Sequence, residues 1–250
     1  MRRVLTVLAG CAAFLALFGA VSLADTLIGT DAADDIAGTP RPDQLYGEAG
    51  DDTLTGGEGS DYIEAGPGND RIDAGFGLDL AIGGTGDDFI DMADGADVVY
   101  AGTGDDTVLG GAGADTIFGQ AGTDRLFGGS GRDRIYASLG DDFVDAGSSR
   151  DRISSDEGNV TILAGAGPDT VIAIGGDVTV RAGSGNDRIR TGAGDDEVTG
   201  GGGRDTIVVG RGDDIVEAKD GKRDRVRCGP GRDEAAVDRI DIVTGCELVR

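Results

Sequence analysis

Ile, Leu or Val recurs at almost every ninth position from Gly29 to Glu217, and short stretches rich in glycine and aspartate separate these residues. This span divides without an insertion into 21 units of nine residues. Position 8 of the unit is Ile, Leu or Val in 20 units, position 6 is Asp in 19, and position 4 is Gly in 18. Units such as Gly56–Glu64, Gly110–Phe118 and Gly200–Val208 follow the pattern G-G-x-G-x-D-x-U-x, where U is aliphatic.

The nine-residue pattern predicts one short strand and one tight turn in each unit. Glycines permit the positive φ angles of tight turns, and x-U-x is a strand with one side chain pointing inward. Two units then form one 18-residue coil, and the strands of successive coils pair in parallel. The predicted fold class is therefore all-β: a parallel β-roll, or β-solenoid, of 18-residue coils with a thin core and a small C-terminal cap.

The position-6 residues form two columns, because residues 18 apart occupy equivalent places in successive coils. One column, which we call column A, has Asp at every position. It contains Asp43, Asp61, Asp79, Asp97, Asp115, Asp133, Asp151, Asp169, Asp187 and Asp205. Column B contains Asp34, Asp52, Asp70, Asp88, Asp106, Asp124, Asp142, Asp196 and Asp214, with Val160 and Val178 between Asp142 and Asp196.

From Gly29 to Glu217, the repeats of this chain resemble those of the repeats-in-toxin, or hemolysin-type, family of calcium-binding nonapeptide repeats. The resemblance implies several Ca²⁺ ions between neighbouring coils, held by backbone carbonyl groups and the aspartates of both columns, and oxygen ligands suit calcium. We expect no ion beside Val160 and Val178. The alternative is a metal-free solenoid in which the aspartates cap turns through side-chain hydrogen bonds.

The composition limits the classes of function. The chain has no His, which excludes a Ser-His-Asp triad and an H-E-x-x-H zinc site. Its net charge of −25 argues against nucleic acid, which needs a basic surface. Ice binding would require regular rows of Thr or Asn, and Asp, Arg, Phe and Tyr interrupt them. We predict no catalytic residue and no enzyme, with an extracellular polysaccharide-active enzyme as the alternative.

The N-terminal residues 1–24 have the features of a secretory signal peptide. Two arginines precede an apolar stretch, and small residues lie before Asp25. Its removal leaves 20 basic against 47 acidic residues, a net charge of −27. We therefore expect a secreted, extracellular bacterial protein without membrane contact after cleavage. Alternatives are a lipid anchor on Cys11 and an uncleaved membrane anchor.

The C-terminal residues 218–250 follow the repeat only weakly, after the mature repeat region 25–217. Cys228 and Cys246 are 18 residues apart, one coil length, and can pair outside the cell. We predict a degenerate coil and a cap that a Cys228–Cys246 disulfide ties down, since solenoids need end protection.

An aromatic ladder is predicted on the outer face of the sheet that follows column A. Tyr100, Phe118 and Tyr136 are each 18 residues apart, and Arg134 and Arg152 lie beside them. Such a surface suits an interface with an anionic glycan, the cell envelope or another copy of the chain. The alternative is packing that stiffens the sheet, with the arginines paired to Asp133 and Asp151.

These features together predict a secreted calcium-binding repeat protein with a structural, adhesive or matrix role. Its folding would depend on calcium, because low calcium inside the cell would leave the acidic repeats unfolded and calcium outside would order them.

Overall fold

A computed structural model describes residues 25–250, so the predicted signal peptide 1–24 and Cys11 lie outside the described residues. The described chain is a parallel β-solenoid of about 12 turns built from 27 strands. Within residues 25–250, no helix is long and apolar enough to cross a membrane. The predicted all-β β-roll is confirmed.

One sheet, here called sheet A, contains 13 strands, each beginning just after a column A position or its equivalent. Its strands are β1 (Thr26–Thr30), β3 (Gln44–Glu48), β5 (Tyr62–Pro67), β7 (Leu80–Thr85), β10 (Val98–Thr103), β12 (Thr116–Ala121), β14 (Arg134–Leu139), β16 (Arg152–Glu157), β18 (Thr170–Ala173), β20 (Arg188–Arg190), β22 (Thr206–Val208), β24 (Arg225–Arg227) and β26 (Ile242–Thr244).

The second sheet, sheet B, follows column B and contains 14 strands. Its strands are β2 (Asp35–Ala37), β4 (Thr53–Gly59), β6 (Arg71–Gly77), β8 (Phe89–Asp91), β9 (Asp94–Gly95), β11 (Thr107–Leu109), β13 (Arg125–Phe127), β15 (Phe143–Asp145), β17 (Thr161–Leu163), β19 (Thr179–Arg181), β21 (Glu197–Thr199), β23 (Ile215–Ala218), β25 (Glu234–Val237) and β27 (Leu248–Val249).

The strands of each sheet pair in parallel with a register of 18 residues. Val99 pairs with Ile117, and Ile117 with Ile135, so identical positions of successive coils lie side by side. After Glu217 the register lengthens by one residue, since Thr206 pairs with Arg225. The C-terminal residues therefore continue the winding through β24 to β27.

The core consists of two kinds of position. Position 8 is buried in strand after strand, as at Leu45 and Ile117, while positions 7 and 9 face outward. Position 1 is also buried, as at Ala65 and Met92, which the sequence pattern did not predict. Position 1 is Gly or Ala in 17 of the 21 units, although the larger Met92 also fits there.

Glycine is required where successive turns approach one another. Gly111 and Gly113 have φ angles of 91° and 147°, in the region that favours glycine. A Cβ atom on Gly113 would lie 1.2 Å from the carbonyl oxygen of Gly95 in the preceding coil. The coils can stack at this spacing only because the turn lacks a side chain.

Candidate metal centre

Both columns of aspartate lie in the interior, at the points where a turn enters a strand. The structure brings column A together along one edge of the solenoid and column B along the other. Asp115 and Asp151 are fully buried, and of the 19 predicted residues only Asp34 is partly exposed. The glycine-rich turn directs the position-6 side chain inward, because the strand begins at the next residue.

One oxygen of each carboxylate takes part in a hydrogen-bond ladder that links the coils. The backbone N–H of Asp97 donates to Oδ1 of Asp115 at 2.9 Å, and the N–H of Asp115 donates to Oδ1 of Asp133 at 2.9 Å. The same bond joins Asp52 to Asp70 at 2.8 Å in column B. A backbone N–H of the preceding coil therefore holds Oδ1, and Oδ2 takes no part in this ladder.

The second carboxylate oxygen, Oδ2, is buried without a hydrogen-bond partner in 19 aspartates. Burying a charged oxygen without a partner costs several kcal/mol, of the order of 3 or more. These aspartates are Asp52, Asp61, Asp70, Asp79, Asp88, Asp97, Asp106, Asp115, Asp124, Asp133, Asp142, Asp151, Asp169, Asp187, Asp196, Asp205, Asp214, Asp224 and Asp233. A cation or a proton is needed to offset that cost.

A second oxygen acceptor lies beside Oδ2 in many units. A Cβ atom built on Gly47 would lie 2.5 Å from Oδ2 of Asp52 and 2.4 Å from the carbonyl oxygen of Ala65. On Gly83 it would lie 2.4 Å from both Oδ2 of Asp88 and the carbonyl oxygen of Ala101. The position-1 glycine thus leaves a small space on which a carboxylate and a carbonyl oxygen converge.

Such oxygen-only surroundings fit a hard cation such as Ca²⁺. Among residues 25–250, no three His, Cys, Asp or Glu side chains are grouped so that they could hold a metal. Carboxylates would therefore supply only part of a coordination shell of about 6 to 8 oxygens, and backbone carbonyl groups would supply much of the rest. When bound, calcium would supply positive charge to the buried carboxylates.

Burial raises the pKa of most of these carboxyl groups. The pKa of Asp115 rises from 3.8 to about 7, because burial disfavours the charged form more than the hydrogen bond from Asp97 favours it, and Asp133 and Asp97 add repulsion. The pKa values of Asp88, Asp124 and Asp169 also rise to about 7, with burial as the main cause. Without a cation, these groups are partly protonated at neutral pH.

The first residue of each column differs from the rest. Oδ2 of Asp34 accepts a hydrogen bond from Oγ1 of Thr30 at 2.8 Å, and Oδ2 of Asp43 accepts one from Oγ1 of Thr39 at 2.9 Å. Threonine replaces glycine at position 2 of these two units. Asp34 and Asp43 therefore have a hydroxyl partner at the oxygen that is unpartnered elsewhere.

Both columns extend beyond the predicted residues. The N–H of Asp205 donates to Oδ1 of Asp224 at 2.8 Å, and that of Asp214 to Oδ1 of Asp233 at 3.0 Å. Sequence reasoning missed these two site residues because one inserted residue shifts the period. The signal was present, since Asp224 lies two residues before the buried Val226.

Val160 and Val178 occupy column B positions and are buried, each 1 % exposed. The ladder resumes where the N–H of Val178 donates to Oδ1 of Asp196 at 3.0 Å. On the outside, a second row of hydrogen bonds links the position-5 residues of successive coils and continues past this gap. Oδ1 of Asn159, for example, accepts a hydrogen bond from the N–H of Asp177 at 2.8 Å. Apolar packing thus replaces the carboxylates inside, while the hydrogen bonds between position-5 residues continue outside.

The predicted aromatic ladder is present on sheet A. The ring centroids of Tyr100 and Phe118 are 4.7 Å apart at 3°, and those of Phe118 and Tyr136 are 4.7 Å apart at 8°. Arg134 and Arg152 are exposed and adjacent in register.

The arginines beside the ladder are not paired in the way that the packing alternative assumed. The structure has one ion pair in residues 25–250, between Arg250 and Glu234. Asp133 and Asp151 are buried, with Oδ1 bound to the backbone of the preceding coil. Column carboxylates face the interior, so they do not neutralise the outward guanidinium groups.

The two cysteines of the C-terminal segment lie close together, as the spacing predicted. The Cα atoms of Cys228 and Cys246 are 5.0 Å apart, within the range that a disulfide needs. Cys228 lies just after β24 and Cys246 just after β26.

The fold is shared with a solved calcium-dependent protein. The chain matches the crystal structure of a hyperactive, Ca²⁺-dependent, β-helical antifreeze protein from an Antarctic bacterium, with a TM-score of 0.54 and 21% identity over 85% of this chain and 76% of that chain. At that identity the likeness shows the fold alone. No curated protein sequence matches the chain.

A family model provides the sequence relationship. The model described as RTX calcium-binding nonapeptide repeat (4 copies) matches residues 28–63, 55–90, 64–99, 93–126, 118–153, 127–162, 145–180 and 181–216. The matched segments adjoin or overlap from 28 to 216 and contain every position-6 aspartate of the 21 units. The chain therefore belongs to the family of RTX calcium-binding nonapeptide repeat proteins.

Proposed function

We propose that this calcium-binding β-roll protein is a secreted structural module that folds when calcium fills its two columns, and that it has an adhesive or matrix role. The buried, unpartnered Oδ2 atoms of 19 aspartates carry the proposal. The ions would be held by these carboxylates and by the carbonyl groups beside them. Asp34 and Asp43 of the predicted set would contribute least, since Thr30 and Thr39 already donate to them.

Calcium-dependent folding follows from the cost of assembling the columns without ions. Column neighbours repel one another, as the pKa rise of Asp124 caused by burial and by Asp106 and Asp142 indicates. Extracellular modules bind calcium at about 10⁻⁴ to 10⁻³ M. The chain would stay unfolded at cytosolic calcium concentrations and fold outside the cell, where binding energy becomes folding energy.

Circular dichroism during a calcium titration tests this step. Residues 25–250 in EDTA should give a coil spectrum that becomes β-rich as calcium is added, while magnesium at the same concentration should not produce the change. A β-rich spectrum that EDTA leaves unchanged would instead indicate a metal-independent solenoid.

The adhesive or matrix role is proposed from the outer face of sheet A. Tyr100 and Tyr136 are 36 % and 37 % exposed, and Phe118 is stacked between them. Replacing all three with Ser should weaken binding to cells or envelope glycans without changing calcium-induced folding. Unchanged binding would remove the ladder from the proposal.

Two other roles have less support in the chain. A polysaccharide-active enzyme would yield new reducing ends or unsaturated products from acidic glycans. If a panel of such glycans gave no such products, this alternative would be rejected. An antifreeze role like that of the solved β-helical neighbour would need flat rows of one residue type. On sheet B the position-7 row reads Thr53, Arg71, Phe89, Thr107 and Arg125, which is not such a row.

A further inference from the structure

The turn that follows sheet A changes conformation in the C-terminal third of the solenoid. In earlier coils, the glycines at position 2, such as Gly84 and Gly102, have φ angles of 122° and 128°. Gly192 and Gly210 occupy the same position in later coils and lie outside the left-handed region. Strands shorten as well, from the six residues of β10 to the three of β20.

An open groove of about 750 Å³ lies along this altered edge. Its apolar lining includes Ile172, Ile174 and Val208, and the two isoleucines are 43 % and 59 % exposed. Gly192 and Gly210 contribute no side chain to fill it. The groove therefore results from the altered turn conformation and from the absence of side chains at Gly192 and Gly210.

Three arginines line the groove, although the protein is strongly acidic. Arg190, Arg211 and Arg227 are exposed, and the single ion pair in residues 25–250, at Glu234, involves none of them. Arg190 pairs in register with Val208, which pairs with Arg227. The two arginines are thus two strands apart, roughly 10 Å along the solenoid at the usual strand spacing.

We propose that this groove binds an extended polysaccharide that bears carboxylate or sulfate groups. Guanidinium groups bind such anions through paired, charge-assisted hydrogen bonds. Arg190 and Arg227 would contact anionic groups spaced along the chain, and Arg211 would contact one from the turn. Ile172 and Val208, which alternate with these arginines, would pack against the C–H faces of the sugar rings.

The groove favours a polysaccharide over other polyanions. Single-stranded nucleic acid binds largely by stacking its bases on aromatic rings, and no aromatic residue lines the groove. A flat anionic membrane would face the acidic body of the protein as well as the arginines, with a net charge of −25 for the chain. A single glycan chain in the groove would meet the three arginines, and no Asp or Glu lines the groove.

This inference rests on the proposed adhesive role and names its ligand class. The test uses residues 25–250 folded in calcium, with polygalacturonate and dextran sulfate as probes and neutral dextran as the control. The variant carries Arg190→Gln, Arg211→Gln and Arg227→Gln. The matched control carries Arg71→Gln, Arg125→Gln and Arg181→Gln, which remove the same charge from the outer face of sheet B.

The groove variant should bind both anionic probes at least about tenfold more weakly than the parent, whereas the control variant should lose less than about twofold. Binding is measured by calorimetry, and circular dichroism of each sample confirms calcium-induced folding. If the triple variant fails to fold, Arg211→Gln alone should still weaken binding.

Several results would overturn the proposal. These are equal weakening in both triple variants, no binding of either anionic probe by folded protein, and tighter binding to phosphatidylglycerol vesicles or single-stranded DNA. Loss of binding in the Tyr100, Phe118 and Tyr136 variant but not in the groove variant would assign the glycan to the aromatic ladder. Failure of the parent chain to respond to calcium would instead refute the proposed calcium-dependent folding.

Discussion

Replacing Asp115 with Asn should destabilise the fold that calcium induces. Asp115 is fully buried in the middle of column A; its Oδ1 accepts the N–H of Asp97, and its Oδ2 has no partner. Asparagine can keep the oxygen that binds the N–H of Asp97. It replaces Oδ2 with an amide NH₂ group, which cannot bind a cation, and it removes the charge.

The expected loss follows from the two neighbours of Asp115 in the ladder. Its carboxylate borders the gap toward Asp97 and the gap toward Asp133, so we expect two fewer bound ions. At about 10 mM calcium and dissociation constants of about 10⁻⁴ to 10⁻³ M, each ion stabilises the fold by about 1.4 to 2.7 kcal/mol. The variant should therefore lose roughly 3 to 5 kcal/mol.

Urea unfolding at the same calcium concentration, followed by circular dichroism, measures this loss, and the calcium content of the folded chain gives the number of ions. In EDTA both proteins should give the coil spectrum, because the fold requires calcium, so the loss should appear only when calcium is present. Asp105→Asn is the matched control: Asp105 is exposed, and its Oδ1 accepts the N–H of Thr123 at 2.8 Å.

The reasoning would be refuted if Asp115→Asn lost less than about 1 kcal/mol in calcium. It would also be refuted if Asp105→Asn lost as much, because the effect would then reflect general charge or turn capping. A parent chain that stays folded in EDTA and loses as much stability there on this substitution would indicate that the carboxylate supports the fold without calcium.

Four further predictions concern the core, the gap, the pH response and the C-terminal end. Ile117→Ala should cost about 2 to 5 kcal/mol in calcium, because the residue is fully buried in a thin core; a loss below about 1 kcal/mol in urea unfolding would contradict the packing described. Restoring column B with Val160→Asp and Val178→Asp should increase the number of bound calcium ions in calorimetry, and an unchanged number would show that the gap is set elsewhere. Carboxyl groups whose folded pKa is raised from 3.8 to about 6 or 7 stabilise the calcium-free fold most below about pH 4, and they lose that contribution as the pH rises through 7. Calcium affinity should change in the opposite sense and weaken as the pH is lowered from about 7 to about 5, because protons then compete for the carboxylates. Calorimetry in buffers of different ionisation enthalpy should detect proton release on binding, and a pH-independent affinity would contradict this prediction. Cys228→Ser with Cys246→Ser should lower stability by about 3 kcal/mol if a disulfide closes this loop, whereas two free thiols in the unfolded parent protein would show that no bond forms.

Most of the fold could be predicted from the nine-residue period. Position 8 alternates with outward residues in each strand, so a single aliphatic position indicates which side faces the core. The stacking of Tyr100, Phe118 and Tyr136 follows from the 18-residue register and nothing else. A fixed period converts sequence spacing directly into spatial neighbours, which few other folds allow.

Details that depend on local geometry could not be predicted in this way. The inward place of position 1 is not visible in the pattern, because glycine there is equally typical of a turn and no large apolar residue type recurs at that position. The Thr30 and Thr39 contacts depend on where Oδ2 points in a folded turn. Asp224 and Asp233 fall out of register by one inserted residue, which the structure absorbs in the turn that follows β23.

The groove beside Arg190 also could not be predicted from the sequence. Gly192 and Gly210 look like the other position-2 glycines, yet their backbone conformation differs. Gly192 lies against Ile174 and Gly210 lies against Gly192, and Ile174 also lacks a positive φ angle, so three successive turns share the altered conformation.

Crystals of residues 25–250 grown in calcium would test the central claim most directly, through anomalous diffraction at a wavelength where calcium scatters anomalously. We predict a row of anomalous peaks along each column, each beside Oδ2 atoms, with a gap in column B next to Val160 and Val178. A folded solenoid without peaks beside these carboxylates would contradict the account, because the buried oxygens would then be neutralised by protons alone.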